Sequence, residues 1–440
     1  MSAVDNLAKN SDLKKRIFFT LFAMVIYRFG VHVPTPGVNT EAVLAFFSSQ
    51  STGIFGVFNM FSGGALSQFS VFALGIMPYI SASIIMQLLT TVVPQLEALK
   101  KEGEPGRKKI NQFTRYGTVG LAIVQAIGIT SFLKSQTGPA GESLVMSAKV
   151  GVLPFEVMTV ITLTAGTCFL MWLGEQITDR GVGNGASLII FAGIAATIPQ
   201  GSMQLVSLVQ SGEFSFFFAL ILLAFMIFTV GFIIFMEVAQ RRIKIKYSQR
   251  GMGKQAMNAP ESHLPLKINF SGVIPPIFAS SLLLFPATMT QFVETPWLVS
   301  LRDTLSPTGA LYNVLFIGMV VFFCFFYTQI VFNPVEVADN LKKYGGFVPG
   351  IRAGRETSDY IQKVLERIQV GGAIYLSLIC ILPVILNKYF NIPFYFGGTS
   401  LLILVGVALD TSQQVQSHLL NQKYESFMKG RKVRQRRVQY

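Results

Sequence analysis

Residues 214–238 read FSFFFALILLAFMIFTVGFIIFMEV, and the chain turns strongly basic soon afterwards, at RRIKIKYSQR over residues 241–250. A bilayer hydrocarbon core about 30 Å thick is crossed by roughly 20 helical residues. The stretch 214–238 is long enough and apolar enough for one crossing. The pattern predicts a helix that spans a membrane and ends at a positively charged face.

The same alternation of apolar stretches and polar loops continues along the whole chain of 440 residues. Hydrophobic residues make up 51% of the chain and charged residues 13%, whereas a soluble domain carries about 25% charged residues. Lipid is therefore the expected solvent for most of the surface. We predict an all-α membrane protein with ten transmembrane helices, at residues 17–33, 70–92, 113–133, 153–174, 186–202, 214–238, 269–292, 311–332, 368–387 and 394–412.

The placement of positive charge predicts the orientation of these spans. All but five of the 36 Lys and Arg residues fall on the side of the N-terminus. Cytoplasmic loops carry an excess of such residues, so we expect both termini and the two large loops, at about 239–268 and 333–367, to be cytoplasmic. The five residues at or beyond the opposite face are Arg28, Lys134, Lys149, Arg302 and Lys388.

This topology explains most of the net charge of +14 without a nucleic-acid ligand. It does not explain why charge is concentrated in the two large loops and in the tail at 429–437. Those regions could bind acidic lipid, acidic protein or RNA, and the sequence does not separate these partners.

The first span follows Lys14, Lys15 and Arg16 and could be mistaken for a secretory signal. No small-residue cleavage site comes after it, only VPTPG at 33–37. The sequence therefore favours a retained span over a cleaved signal peptide.

Catalysis finds little support in the sequence. The three histidines, His32, His263 and His418, are scattered, and no pair has zinc spacing or suggests a Ser-His nucleophile. The cysteines fall inside predicted spans without a CxxC pair, which favours buried thiols over a metal site. We expect neither an enzyme nor a resident metal or cofactor. The cysteines are Cys168, Cys324 and Cys380.

An ion-coupled transporter is the stronger alternative, because ten glycine-interrupted spans suit folds that bind substrate at broken helices. Such proteins usually hold ionisable residues near mid-membrane. Here Arg28, Glu237 and Asp410 lie near span ends, and the span interiors offer hydroxyls and a few amides. This placement counts against coupling to an ion gradient.

Between the first two spans, residues 58–69 read FNMFSGGALSQF. The stretch is too short and polar to cross a membrane, yet too apolar for an ordinary solvated loop. It could fold back into the protein, where irregular backbone is tolerated beside a cavity, or lie at the interface as a helix. Composition leaves both interpretations open.

Six segments carry a resemblance to a known family. They are FNMFSGGALS (58–67), ALGIMPYISASII (73–85), FLMWLGEQITDRGVGNG (169–185), GVIPPIFASSLLLFPAT (272–288), VFNPVEVADNLKKYGGFVPGIRAG (331–354) and PFYFGGTSLLI (393–403). In these segments, in order and along essentially its whole length, the chain resembles the bacterial SecY family.

The resemblance implies a protein-conducting channel of the bacterial inner membrane, built from two pseudo-symmetric inverted halves of five spans with a re-entrant plug. The first half covers residues 1–202 and contains the plug at about 56–69. The second half covers residues 203–412 and contains both large loops, and a basic tail follows at 413–440. Such a channel passes unfolded secretory chains and releases apolar segments sideways into lipid. Its implied partners are signal peptides, SecE-like and SecG-like subunits, a SecA-like motor ATPase, the ribosome and anionic lipid.

The resemblance further implies a ring of apolar side chains at the waist of the channel. A ring of branched side chains lets a polypeptide slip through without binding it and resists continuous water. Ala186 departs from the family pattern, in which a bulkier residue is common, so Leu188 or Ile189 could compensate. Without the resemblance, an isoleucine in a span indicates only packing. The ring positions are Ile76, Ile80, Ala186, Ile190, Ile277 and Ile403.

Three further sets of residues follow from the resemblance. The plug, whose glycines suit close packing and movement, comprises Phe58, Asn59, Met60, Phe61, Ser62, Gly63, Gly64, Ala65, Leu66 and Ser67. The lateral gate comprises Gln87, Thr90, Ser280, Ser281 and Phe285. Any one of the basic loop residues could equally be a topology signal. The residues implied to dock a motor or the ribosome are Arg241, Arg242, Arg250, Lys254, Arg352 and Arg355.

Overall fold

The computed structural model describes residues 11–49, 54–138, 141–146, 149–150, 153–247, 262–289, 309–390 and 398–436. Helices dominate these residues. They are α1 Ser11–Val31, α2 Thr40–Ser49, α3 Ile54–Phe61, α4 Met77–Val92, α5 Pro94–Lys101, α6 Glu104–Ser135, α7 Phe155–Arg180, α8 Gly185–Gln210, α9 Phe216–Val238, α10 Ile274–Met289, α11 Ala310–Val331, α12 Pro334–Lys343, α13 Arg355–Phe390 and α14 Gly398–Arg436.

Six helical segments among the described residues are long and apolar enough to cross a membrane, or seven if α4 and α5, bent by 97°, form one span. The six include α6, α7, α8 and α9, together with Ala310–Lys343 and Arg355–Leu386. Each of the ten predicted spans coincides over most or much of its length with a helix. The span predicted from residue 70 begins only at Met77, because the chain before it turns at positive-φ Gly63, Gly64 and Gly75.

The chain divides into two compact units. The first consists of Met1–Ser207, Ser281–Gly309 and Val407–Tyr440, and the second of Leu208–Ser280 and Ala310–Gly406. In the first unit α7 packs against α6 and α1, and α4 packs against α6. In the second unit α11 and α12 pack against α13.

A three-stranded antiparallel sheet joins the two large polar loops, which are far apart in sequence. Its strands are β3 Gln240–Tyr247, β4 Ser262–Lys267 and β5 Gly346–Phe347, in the order β4-β3-β5. A two-stranded ribbon of β1 Lys149–Val150 and β2 Leu153–Pro154 lies elsewhere in the chain. Since β5 belongs to the second loop and β3 to the first, both loops form one folded element.

The sheet has its own small core. Along β3, Ile243 and Ile245 are buried while Arg242, Lys244 and Lys246 are exposed, as the period of two in a strand requires. Strand β4, helix α12, the loop before α13 and α13 itself complete the core, through Leu266, Leu341, Val348, Ile361 and Val364. Burial of these side chains fixes the basic face of β3 toward solvent.

Candidate functional site

The segment at 58–67 lies inside the protein. It comprises the end of α3 and a set of tight turns, and Phe58, Phe61, Ala65 and Leu66 are each less than 5% exposed. Of the two interpretations that composition left open, this burial supports a segment folded back into the protein. An interfacial helix would expose one face.

Polar groups within the segment satisfy its irregular backbone. The amide N–H of Ser67 donates to Oδ1 of Asn59 at 2.9 Å, and that of Gly64 donates to the Asn59 carbonyl at 2.9 Å. The Ser62 hydroxyl donates to the same carbonyl at 3.1 Å and accepts from the N–H of Leu66. Because buried polar groups need partners, Asn59 allows the turns to exist away from water.

Two side chains of α1 hold the turn of this segment. The phenol of Tyr27 donates to the Ser62 carbonyl at 3.0 Å, and Nη1 of Arg28 donates to the Gly63 carbonyl at 2.8 Å. The sequence pattern alone does not place either residue at the site. The signal that could have found Arg28 was its predicted position at the outer face, against the general distribution of positive charge.

The ring candidates of α4 form a pair on one face. Ile76 occupies the N-cap position of α4, where its side chain makes no hydrogen bond. The N–H of Ile80 donates to the Ile76 carbonyl at 3.1 Å. Residues four apart on a helix lie one above the other. Both side chains are buried, so the first turn of α4 presents two stacked isoleucines to the interior.

Ala186 and Ile190 repeat this spacing in the first turns of α8. The Asn184 side chain accepts from the N–H groups of Ala186 and Ser187 and caps the helix. Ile190 is buried and Ala186 half-buried, while neighbouring Leu188 and Ile189 are buried. The small side chain at 186 is thus followed, within one helical turn, by two large buried ones.

The turn that precedes α8 is fixed from two other helices of the first unit. Thr20 of α1 accepts from the N–H of Val182 at 3.0 Å, and Gln414 of α14 accepts from that of Gly183 at 2.9 Å. The start of α8, and with it Ala186, is therefore anchored independently of the helix itself.

The remaining ring candidates belong to the second unit. Ile277 lies on α10 and is 5% exposed, and Ile403 lies on α14 and is 0% exposed. Like the other four, both lie close to the first turn of a helix. Their apolar side chains are withdrawn from solvent, which a water-resisting constriction requires.

The lateral-gate candidates use their polar groups mostly within their own helices. Gln87 is half-buried and donates to the Ser83 hydroxyl at 3.3 Å, and Thr90 donates to the Gln87 carbonyl at 2.7 Å. Ser280 donates to the Ile277 carbonyl at 2.9 Å, whereas the buried Ser281 hydroxyl has no partner among the described residues. Phe285 lies on α10, and its side chain is outside the described part.

The docking candidates are exposed wherever the structure describes them. Arg241 and Arg242 lie on β3, Arg352 lies between Gly350 and Gly354, which both have positive φ, and Arg355 begins α13. The Thr357 hydroxyl donates to the Arg352 carbonyl at 2.8 Å and fixes the loop below that side chain. The other two candidates, Arg250 and Lys254, lie outside the described residues.

A buried amide connects the sheet to α10. Nδ2 of Asn269, which is 2% exposed, donates to Oε1 of Glu237 at 2.7 Å and to the Gly272 carbonyl at 3.0 Å. Its Oδ1 accepts from the Ser271 hydroxyl at 3.0 Å. The end of α9, the end of β4 and the start of α10 thus meet at one side chain that the sequence analysis did not single out.

The structure offers no metal centre in the part of the chain that it describes, where no group of three or more His, Cys, Asp or Glu side chains is placed to hold an ion. The three cysteines are free thiols, and Cys324 and Cys380 are buried. The geometry consists of apolar pairs, a folded-back segment and a basic element formed by the two large polar loops.

Comparison with known proteins identifies the family. The SecY family model matches residues 70–412. The protein translocase subunit SecY of Vibrio cholerae is 48% identical over 426 residues, which cover 95% of this chain and 94% of the relative. These similarities favour a polypeptide channel over the ion-coupled transporter.

Solved structures agree on the fold. A structure described as a protein conducting channel matches with a TM-score of 0.66 at 15% identity, covering 95% of this chain and 97% of the other. Canine Sec61 in a ribosome-channel complex matches with a TM-score of 0.63 at 15% identity, over 95% and 97% of the two chains. From the family model and the relative of high identity, the chain belongs to the SecY family.

Proposed function

We propose that this chain is the channel subunit of a protein translocase, which passes unfolded secretory polypeptides across a membrane and releases apolar segments sideways into lipid. The observation that carries the proposal is the buried segment at 58–67, in a chain of the SecY family. A segment with irregular backbone is stable at membrane depth only inside protein or beside a water-filled path. In a channel that opens and closes, such a segment can block the path in the closed state.

The stacked apolar pairs supply the constriction in this proposal. Ile76 with Ile80 and Ala186 with Ile190 would form part of the ring, which Ile277 and Ile403 would complete from the second unit. Branched apolar side chains offer no hydrogen bonds to a passing chain and disfavour a continuous file of water. The plug at 58–67 would add a second barrier in the resting state.

Gln87, Thr90, Ser280, Ser281 and Phe285 would line the lateral exit. Polar groups in an otherwise apolar seam make closure only modestly favourable, so an apolar signal segment can compete for the gap. This role would account for hydroxyls and an amide on helices that are otherwise strongly apolar.

The exposed arginines on β3 and in the loop at 350–355 are proposed as the docking surface for a SecA-like motor and for the ribosome. Arginine forms forked contacts to carboxylate and phosphate alike. Canine Sec61, a structural neighbour, was solved in a ribosome-channel complex. SecE-like and SecG-like subunits, a location in the bacterial inner membrane and cytoplasmic termini complete the proposal.

Disulfide trapping in inside-out vesicles tests the path. The three native cysteines are removed, one cysteine is placed at Ile277, and another is placed in a stalled secretory polypeptide. A crosslink that requires both the signal segment and the motor is the expected result. A cysteine at Phe228, which is 70% exposed on α9, is the matched control for a position on the surface of the protein. Crosslinks at control positions but none at Ile277, in a variant that still exports, would contradict the proposed path.

A further inference from the structure

Tyr27 and Arg28 are consecutive residues of α1, and they donate to the consecutive carbonyls of Ser62 and Gly63 at 3.0 and 2.8 Å. No role in the ring, plug, lateral gate or docking surface has been assigned to either. The two bonds act on the tightest part of the folded-back segment, where Gly63 and Gly64 have φ values of 67° and 88°.

The environment of these bonds makes their loss costly. Tyr27 is 1% exposed and Ser62 is 0% exposed, and the Tyr27 ring stacks on Phe72 with centroids 6.2 Å apart. The Ser62 carbonyl also accepts from the Ala65 N–H at 3.4 Å, but a buried Tyr27 hydroxyl that loses this carbonyl does not regain a partner from water. The Tyr27 hydroxyl therefore favours the seated position of the segment over any displaced one.

Arg28 provides independent support, because its location otherwise lacks an explanation. It is one of the five basic residues predicted at or beyond the outer face, where the positive-inside tendency disfavours Lys and Arg. Lys134, another of the five, pairs with Glu156. Arg28 instead directs a charged donor at a backbone carbonyl, and bonds of this kind are stronger than those between neutral groups.

The chain just beyond the segment is attached differently. The Thr35 N–H donates to the Phe69 carbonyl at 3.0 Å, and the Val71 N–H donates to the Val33 carbonyl at 2.9 Å. Backbone pairing of this kind does not depend on side chains. It can remain in place while the turn at Ser62 and Gly63 moves.

From this arrangement we propose that Tyr27 and Arg28 are positioning residues that latch the plug in its seat, while the pairing of residues 33–35 with 69–71 serves as its hinge. The inference rests on the proposed function, since it assumes that displacement of the segment opens a path. Opening breaks both latch bonds and leaves the hinge intact. The strength of the latch then sets how often the channel opens without a proper signal segment.

Single substitutions separate the two bonds. Tyr27→Phe removes only the donor, and Arg28→Gln removes the charge and shortens the side chain. Each variant is expected to raise the open population about tenfold, which corresponds to the loss of one buried hydrogen bond. The double variant is expected to exceed either single one.

The direct readout is access to the plug and does not require export. A single cysteine replaces Ser67 in a chain without the three native cysteines, and a membrane-impermeant maleimide is applied from the outer side of intact cells. Labelling about tenfold faster than in the parent is expected for each latch variant. Export of a substrate with a defective signal sequence, measured in parallel, is expected to rise as well.

Matched controls repeat the chemistry away from the plug. Tyr116→Phe removes a hydroxyl that is exposed on α6, and Arg16→Gln removes a guanidinium near the other end of α1. Both are expected to label like the parent. Gly63→Ala serves as the positive control, because its added Cβ atom would lie 2.6 Å from the Cα atom of Gly193.

Faster labelling in Gly63→Ala together with parental labelling in both latch variants would overturn the latch. A parent chain that does not export would contradict the proposed function, and the labelling rates would still decide the latch. Tyr27→Phe keeps the aromatic ring and its stacking on Phe72, so this variant should fold normally. It therefore still tests the latch if Arg28→Gln does not accumulate in the membrane.

Discussion

A Cβ atom added to Gly63 would lie 2.6 Å from the Cα atom of Gly193, so the proposed plug segment and α8 touch backbone to backbone. Cβ atoms essentially never come this close to a backbone atom. The contact lies one turn beyond Ile190 and adjoins the Tyr27 hydroxyl, 2.7 Å from the same added Cβ. The segment at 58–67, the part of α8 next to Ile190 and the end of α1 therefore share one tightly packed point.

Gly63→Ala is expected to destabilise the seated plug by about 2 kcal/mol or more, through overpacking and through an L residue at positive φ. The measurement is ion conductance of the resting channel in planar bilayers, which should rise. Gly64→Ala is the matched control, since Gly64 has a φ of 88° but no atom within 4 Å of its added Cβ. Equal conductance in the two variants would mean that backbone strain, and not contact with Gly193, accounts for the effect.

Asn269→Asp is expected to destabilise the second unit by about 2–4 kcal/mol, because the buried donor to Glu237 becomes a second acceptor beside that carboxylate. The two side chains have nearly the same shape, so packing is preserved. Limited proteolysis of the β3–β4 region should become faster, and the melting temperature in detergent should fall. Asn333→Asp supplies the control, since aspartate caps the start of α12 as well as asparagine does. An unchanged melting temperature for Asn269→Asp would show that the amide is not needed at this junction.

Gln87→Leu is expected to lower the hydrophobicity that a signal segment needs for export. In the proposed lateral gate, an open seam would expose residue 87 to lipid, where a leucine is favourable and an amide is costly. The measurement is export of a series of substrates whose signal segments decrease in hydrophobicity. Gln95→Leu makes the same change at an exposed position on α5 and should behave like the parent. Unchanged export of the weakest signals by Gln87→Leu would count against a gate role.

The order of spans could be predicted from the sequence because apolar length and charge placement are properties of single segments. The family could be predicted only from the resemblance of six segments between residues 58 and 403. The pairing of β3 with β5 could not, since residues 240–247 and 346–347 are distant in sequence and β5 is too short to show alternation. The latch was missed for a related reason. Tyr27 and Arg28 lie at the end of an apolar span, and only the fold brings the Ser62 and Gly63 carbonyls to them.

Arg352→Glu is expected to reduce motor-driven export by about ten- to a hundredfold, the range of one charge-assisted forked contact replaced by repulsion. The exposed guanidinium lies on a loop fixed by the Thr357 hydroxyl, so the substitution should leave the fold unchanged. Affinity for a SecA-like motor, measured on vesicles at rising salt, should fall more steeply in the parent than in the variant, because surface ion pairs are screened. Lys342→Glu makes the same change of charge at an exposed position of α12 and should retain most export. If both variants lose export equally, general loop charge and not a specific contact of Arg352 recruits the motor, and the β3 arginines become the better candidates for that contact.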